Sequence, residues 1–251
     1  MAIIEAHGIS KCFRIPSVRR DTFREHVLDF FRSRPSETLT VLDSVSFEVQ
    51  RGETLGIMGR NGCGKSTLLK IVSGIYQPDD GRLVARAPIT PILELGVGWN
   101  PELDAIDNIC LLGSVMGMSL PEIRAAIDEI LAFAELERFA NLKLQHYSSG
   151  MASRLAYAVA FKAVREVLVL DEIFAVGDAG FKARCTDRYR ALSAAGHTII
   201  IVSHDPGIIE TFCPRALLLE SGRVTIDGTG AEVAAAYLQL LRPPERAPVA
   251  G

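Results

Sequence analysis

The most specific chemistry in the chain is carried by one short stretch, Gly59-Arg60-Asn61-Gly62-Cys63-Gly64-Lys65-Ser66-Thr67. Two glycines with four residues between them, followed at once by lysine and a hydroxyl residue, form the pattern of a phosphate-binding loop. Glycine permits the backbone turns that aim successive N–H groups at phosphate oxygens, where a Cβ would obstruct the turn or the approach. The helix expected after the loop presents its positive end to the same anion. Lys65 supplies a point charge for the β- and γ-phosphates, and the Ser66 hydroxyl is a ligand for Mg²⁺. The stretch follows an apolar run, Thr54–Met58, as a strand–loop–helix context requires.

Three further groups lie downstream. Val167-Leu-Val-Leu-Asp171-Glu172 reads as a buried strand with two acids at its C-terminal end, where ligands bind in open α/β sheets. Asp171 is placed to hold Mg²⁺ through water, and Glu172 to polarise a water that attacks the γ-phosphate. Helix capping is the competing role for such acids. Thr198-Ile-Ile-Ile-Val202 runs into Ser203-His204-Asp205, where His204 either meets the γ-phosphate or caps the next helix. Tyr147-Ser148-Ser149-Gly150-Met151 precedes an apolar helix. A serine N-cap at a helix start is a second anion site, and a chain that already owns a phosphate loop needs a second nucleotide to fill it.

The elements that must position these groups alternate. Strand-like runs are Val45–Val49, Thr54–Met58, Val167–Leu170, Thr198–Val202, Ala216–Leu219 and Val224–Ile226. Helical patterns cover Lys65–Ser73, Pro121–Phe133, Ser149–Lys162, Ala179–Ala194 and Ala231–Leu241. Alternation of this kind predicts an α/β fold with a mainly parallel sheet and right-handed crossovers. From about residue 104 to 162 no good strand is found, so a helical insertion is expected there. One domain is expected over 1–241, with 242–251 (RPPERAPVAG) as a disordered tail.

Composition narrows the classes. The 251 residues are 48% hydrophobic and 23% charged, with a formal net charge of −3. Disorder and a global basic field for nucleic acid are thereby excluded. Mean hydropathy is +0.21, yet the longest runs without Asp, Glu, Lys or Arg are 14 residues, short of the roughly 20 that cross a bilayer. The N-terminus carries Glu5 and no basic region, so it is not a signal peptide. Five scattered cysteines without a Cys-x-x-Cys pair fit a reducing compartment. Cys63 is either an inert filler of the phosphate loop or a thiolate favoured by Lys65 and the helix start. Residues 17–35 place five arginines around an apolar face of Phe23, Val27, Phe30 and Phe31. That pattern fits a helix over a sheet edge or one at a membrane interface.

In order and spacing, GRNGCGKST, YSSGM, VLVLDE and SHD resemble the nucleotide-binding subunit of an ABC transporter, a P-loop NTPase core with an added antiparallel β part and a helical subdomain. YSSGM departs from the family's usual LSGGQ at three of five positions. The stretches YSSGMASRLAYAVAF, DEIFAVGDAGFKARC and LELGVGWNPELDAIDNI are similar to the branch of ATP-binding subunits that serve bacterial polysaccharide exporters of O-antigen, capsule and teichoic acid type. The resemblance implies ATP and Mg²⁺. It assigns Phe13 to stack on adenine, and Gly59, Asn61, Gly62, Cys63, Gly64, Lys65, Ser66 and Thr67 to the phosphates. Ser148, Ser149 and Gly150 would meet the γ-phosphate bound by an opposite subunit, and Asp178 would couple the two sites. His204 becomes the switch histidine, Glu172 the catalytic base, and Ser66, Asp171 and Glu94 the groups around Mg²⁺, with Glu94 where the family usually has glutamine. It further implies a homodimer, two copies of a polytopic permease, a lipid-linked polysaccharide cargo, no nucleic acid, and a peripheral place on the cytoplasmic face of the inner membrane. A carbohydrate-binding C-terminal module is not expected. Another cargo such as a lipid or drug, and a non-transport ABC ATPase, are the alternatives.

Overall fold

A computed structural model describes residues 1–15, 37–92, 98–171 and 178–241. Glu94, Glu172, the arginine-rich 17–35 segment and the 242–251 tail lie outside the described residues.

Two sheets build the molecule. The first is antiparallel, in the order β2-β1-β4, from β1 (Ala2–Ile15), β2 (Glu37–Gln50) and β4 (Asp80–Ala85). The second has the order β5-β6-β7-β3-β8-β9, from β3 (Thr54–Met58), β5 (Ile89–Ile92), β6 (Val167–Asp171), β7 (Thr198–Val202), β8 (Arg215–Glu220) and β9 (Arg223–Thr229). All its pairings are parallel except β8 with β9, a hairpin.

The central strands are apolar at every position for a geometric reason. Successive side chains point to opposite faces, and both faces are covered. Val167, Val169, Ile200, Val202, Leu217 and Leu219 enter one core, shared with the antiparallel sheet and with Leu68, Leu69, Ile71 and Val72 of helix α1 (Lys65–Val72). Leu168, Leu170, Ile199, Ile201, Ala216 and Leu218 enter the other.

Helices α4 (Ser149–Lys162), α5 (Ala179–Ala194), α6 (Pro206–Phe212) and α7 (Gly230–Leu241) cover that second face. Between residues 104 and 162 lie α2 (Ala105–Val115), α3 (Leu120–Ala134), two short 3₁₀ turns and α4, around a third core that includes Ile109, Ile123, Ile130 and Leu155. Helix α3 begins in a capping box, with the Ser119 hydroxyl accepting from the Glu122 amide and Glu122 Oε2 accepting from the Ser119 amide at 2.7 Å. Helix α4 belongs to two cores, so it joins the helical region to the sheet.

The predicted parallel strands and helices fall where the periodicity places them. Strands β1, β4 and β5 and helices α2 and α6 were not predicted. Each of the five carries a glycine or a proline (Gly8, Gly81, Pro91, Gly113, Pro206), and the bulged register of β1 between Ala6 and Ile9 breaks its alternation. Among the described residues no helix is long and apolar enough to cross a membrane.

Candidate functional site

The parallel register brings the separate motifs to one edge. Val202 of β7 lies opposite Ile57 of β3 on one side and Asp171 of β6 on the other. The phosphate loop after β3, the acid ending β6 and Ser203-His204 after β7 therefore leave the sheet side by side. There a cavity of about 600 Å³ is lined by Asn61, Gly62, Gly64, Lys65, Ser66, Thr67, Asp171 and Val41.

Close contacts set the loop's shape. A Cβ on Gly59 would stand 2.3 Å from the Leu219 carbonyl oxygen. Gly64, the N-cap of α1, has φ +109, and a Cβ there would lie 2.8 Å from both the Val41 oxygen and Leu42 Cδ2. Its own carbonyl accepts the Leu68 amide at 2.9 Å, so helical bonding starts directly behind the loop. Lys65 is only 8% exposed, and its Nζ donates to the carbonyls of Gly59 (2.7 Å) and Arg60 (3.0 Å). The ammonium is thus held over the loop with its stem buried.

The Ser66 hydroxyl residue and the Asp171 carboxylate share this cavity. A hydroxyl and a carboxylate are hard oxygen donors of the kind Mg²⁺ takes together with phosphate oxygens and waters. Among the described residues no three His, Cys, Asp or Glu side chains gather closely enough to hold a metal by themselves.

Cys63 is 7% exposed and belongs to the apolar core beneath the loop. Burial pushes its thiol above the ordinary range, and the nearby Lys65 charge only partly opposes this. The thiolate reading is therefore corrected, because desolvation outweighs the cation. The residue's peptide still shapes the loop: its amide donates to the Arg60 carbonyl at 3.2 Å.

The remaining predicted residues stand apart from this cavity. Ser148 caps α4, accepting from the Met151 amide at 3.1 Å, with exposed Ser149 beside it and Gly150 next in the first turn. None of the three lines the phosphate cavity. Asp178 caps α5 by accepting from the Phe181 amide at 2.9 Å, and chiefly that bond holds its carboxyl below the usual range. Its other oxygen pairs with Arg154 of α4, which also bonds Glu135 at 2.8 Å and lies 5.5 Å from the Phe181 ring centre. The start of α5 is thereby tied to the first turns of α4. His204 is exposed at the end of β7, while Asp205 caps α6 through the Gly207 amide at 2.8 Å. Phe13 is part-buried on β1, edge-on to Tyr76 at 5.9 Å.

Sequence reasoning missed three contributors. Val41 lines the cavity, yet an apolar residue in a β-run has no signal of its own. Tyr76 backs Phe13 from beyond α1, a long-range contact. Asn108 is 1% exposed and organises the loop that opens the helical region. Its Nδ2 donates to the carbonyls of Asn100, Leu103 and Asp104, and its Oδ1 accepts from the Asn100 amide. An asparagine beside Asp107 at the start of a mainly apolar helix was its only signal.

Known proteins are similar to this chain in sequence and in fold. The family model described as ABC transporter matches residues 42–175. The chain is 38% identical over 247 residues to the O-antigen export system ATP-binding protein of Myxococcus xanthus, across 96% of this chain and 56% of that protein. Against the O-antigen export system ATP-binding protein of Yersinia enterocolitica it is 38% identical over 187 residues, across 74% of this chain and 78% of that one. It thus spans little more than half the length of the Myxococcus relative. The dimeric post-hydrolysis structure of an ATP-binding cassette bound to ADP and Pi superposes with a TM-score of 0.73 at 23% identity, covering 90% of this chain and 98% of that one. With the loop, the strand-end acid and the helical region in one frame, and with relatives matched along most of its length, the chain belongs to the ABC transporter family.

Proposed function

We propose that the chain is the ATP-binding and ATP-hydrolysing subunit of a bacterial exporter that moves a lipid-linked polysaccharide, of O-antigen or capsular type, across the inner membrane. The observation that carries the ATPase reading is the shared cavity of Lys65, Ser66 and Asp171 at the C-terminal edge of β3 and β6. The cargo rests on the identity with O-antigen export proteins. One nucleotide-binding unit spans about 1–241, with a helical subdomain near 104–162.

On binding, Lys65 exchanges its two carbonyl acceptors for phosphate oxygens, which form stronger charge-assisted bonds. Ser66 and Asp171, with Glu94, would hold Mg²⁺, which neutralises phosphate charge when bound. Phe13 offers its ring to the adenine. Glu172 acts as base toward the attacking water, with His204 near the γ-phosphate.

Ser148, Ser149 and Gly150 lie outside the phosphate cavity of their own chain, which supports a role at the nucleotide of a second copy. Two chains then close on two ATP molecules, and the Arg154–Asp178 tie gives each closing helix a link to its neighbouring loop. Opening and closing would drive two copies of a polytopic permease from the cytoplasmic face of the membrane. A lipid or drug cargo would use the same ATPase cycle with a different permease.

The experiment is size-exclusion chromatography with light scattering on the full chain, with Glu172→Gln beside wild type. The variant should form a dimer only with MgATP and release little phosphate. Normal phosphate release by the variant overturns the role of Glu172. ATPase stimulation by a co-expressed permease and a lipid-linked glycan tests the cargo, and stimulation by lipid or drug alone selects the other one.

A further inference from the structure

The underside of the phosphate loop meets an element that the sequence motifs do not include. Strands β8 and β9 are joined by two residues, Ser221 and Gly222, between the paired Glu220 and Arg223. Both joining residues have positive φ, +46 and +79, the conformation of a tight two-residue hairpin turn. Serine is a costly choice at such a position, so the surroundings must hold the turn in place.

Three contacts do so. The Gly222 amide donates to the Cys63 carbonyl at 3.1 Å, and the Gly222 carbonyl accepts the Asp43 amide of β2 at 2.9 Å. Arg223 Nε and Nη2 then reach Asp43 Oδ2 at 2.9 and 2.5 Å. Steric fit closes the junction. The Val41 carbonyl would lie 2.5 Å from a Cβ on Gly222 and 2.8 Å from one on Gly64. The Val41–Asp43 stretch of β2 is therefore wedged between the hairpin and the phosphate loop, and only glycine fits on either side.

The peptide between Cys63 and Gly64 is trans, as are all described peptide bonds. In a trans unit the C=O and the following N–H point in opposite directions. Anchoring the Cys63 carbonyl on the hairpin turns the Gly64 N–H away from it, and Gly64 lines the phosphate cavity. We infer that the β8–β9 turn, locked to β2 by the Asp43–Arg223 pair, is a positioning element that presets the Gly64 peptide for phosphate. Gly222, Asp43 and Arg223 act through the loop and touch no nucleotide.

The inference rests on the ATP-binding reading, and the test separates the two. MgADP binding to the full chain is measured by calorimetry at low salt, with kcat and KM for ATP and the unfolding temperature for each variant. Gly222→Ala should weaken MgADP binding about tenfold or more. Asp43→Asn and Arg223→Gln should raise Kd and KM about two- to threefold, with kcat within twofold, because an exposed pair contributes modestly. The exchanged pair D43R/R223D should return Kd toward wild type. These side-chain variants carry the test if Gly222→Ala does not fold. Wild-type affinity in all of them, with only a lowered unfolding temperature, overturns the inference. Absence of MgADP binding by the wild-type chain overturns the ATP-binding reading itself.

Discussion

Alanine at Gly64 and alanine at Gly62 form a matched pair that isolates one physical quantity. Both residues sit in the phosphate loop with positive φ, +109 and +81. Each substitution puts an L-residue where its Cβ crowds the backbone, at about 1–2 kcal/mol. Each also stiffens the unfolded chain, worth about 0.4–1 kcal/mol in the opposite sense. These contributions largely cancel between the two variants. What remains is steric: a Cβ at Gly62 meets nothing within 4 Å, whereas one at Gly64 stands 2.8 Å from the Val41 oxygen and from Leu42 Cδ2.

Leu42 is fully buried and Val41 is part of a paired strand, so relief requires backbone movement. Overpacking of that kind costs about 1–3 kcal/mol. At about 2–4 °C per kcal/mol for a chain near this size, Gly64→Ala should unfold roughly 2–12 °C below Gly62→Ala. Thermal unfolding by circular dichroism, with and without MgADP, reads the difference directly. If the loop yields rather than β2, the MgADP stabilisation also shrinks for Gly64→Ala. Equal unfolding temperatures and equal MgADP stabilisation in the two variants would refute the wedge.

Two other expectations concern the cysteines. In the native chain Cys12 and Cys110 are partly exposed, whereas Cys63, Cys185 and Cys213 are buried. A thiol reagent at pH 8 should modify at most the first two before denaturant is added, and a fast-reacting Cys63 protected by MgATP would contradict the burial. Burial also pushes the Cys185 and Cys213 thiols up to about 12 from 9.0. Their folded forms keep protons that the unfolded chain gives up. The stability they contribute is fully present below pH 9 and is lost as pH rises toward 12, by about 1.4 kcal/mol per pH unit for each thiol. Urea unfolding from pH 8 to 10.5 should show a shallower decline for Cys213→Ala than for wild type, and parallel declines would sink the explanation.

The phosphate loop was legible because its chemistry is local. Backbone N–H groups, a lysine and a hydroxyl must be contiguous to wrap one phosphate group, so the sequence states them together. The central strands were legible for a related reason. Strands covered on both faces must be apolar throughout, and VLVL and TIIIV stand out against polar turns. Strand β1 was not legible, because its bulges interrupt the alternation that marks a half-covered strand. Asp178, assigned by resemblance to couple the two sites, also proves to be a helix cap, and the cap of α6 is Asp205 rather than His204. For Asp178 the cap leaves the other carboxylate oxygen for Arg154, a partner 24 positions away that no local pattern announces.

The sequence by itself determined the parallel α/β core, the loop and the order of the motifs, because hydrophobic periodicity and backbone stereochemistry act over a few residues. Only the tertiary structure decided which groups share a cavity, and it did so through strand register. Placing Val202 opposite both Ile57 and Asp171 brings residues more than 100 positions apart to one edge. It also decided that Cys63 faces the core rather than the cavity, and that the β8–β9 turn lies under the loop. Both depend on the packing of β2 against distant chain segments, and close packing is a property of the assembled molecule.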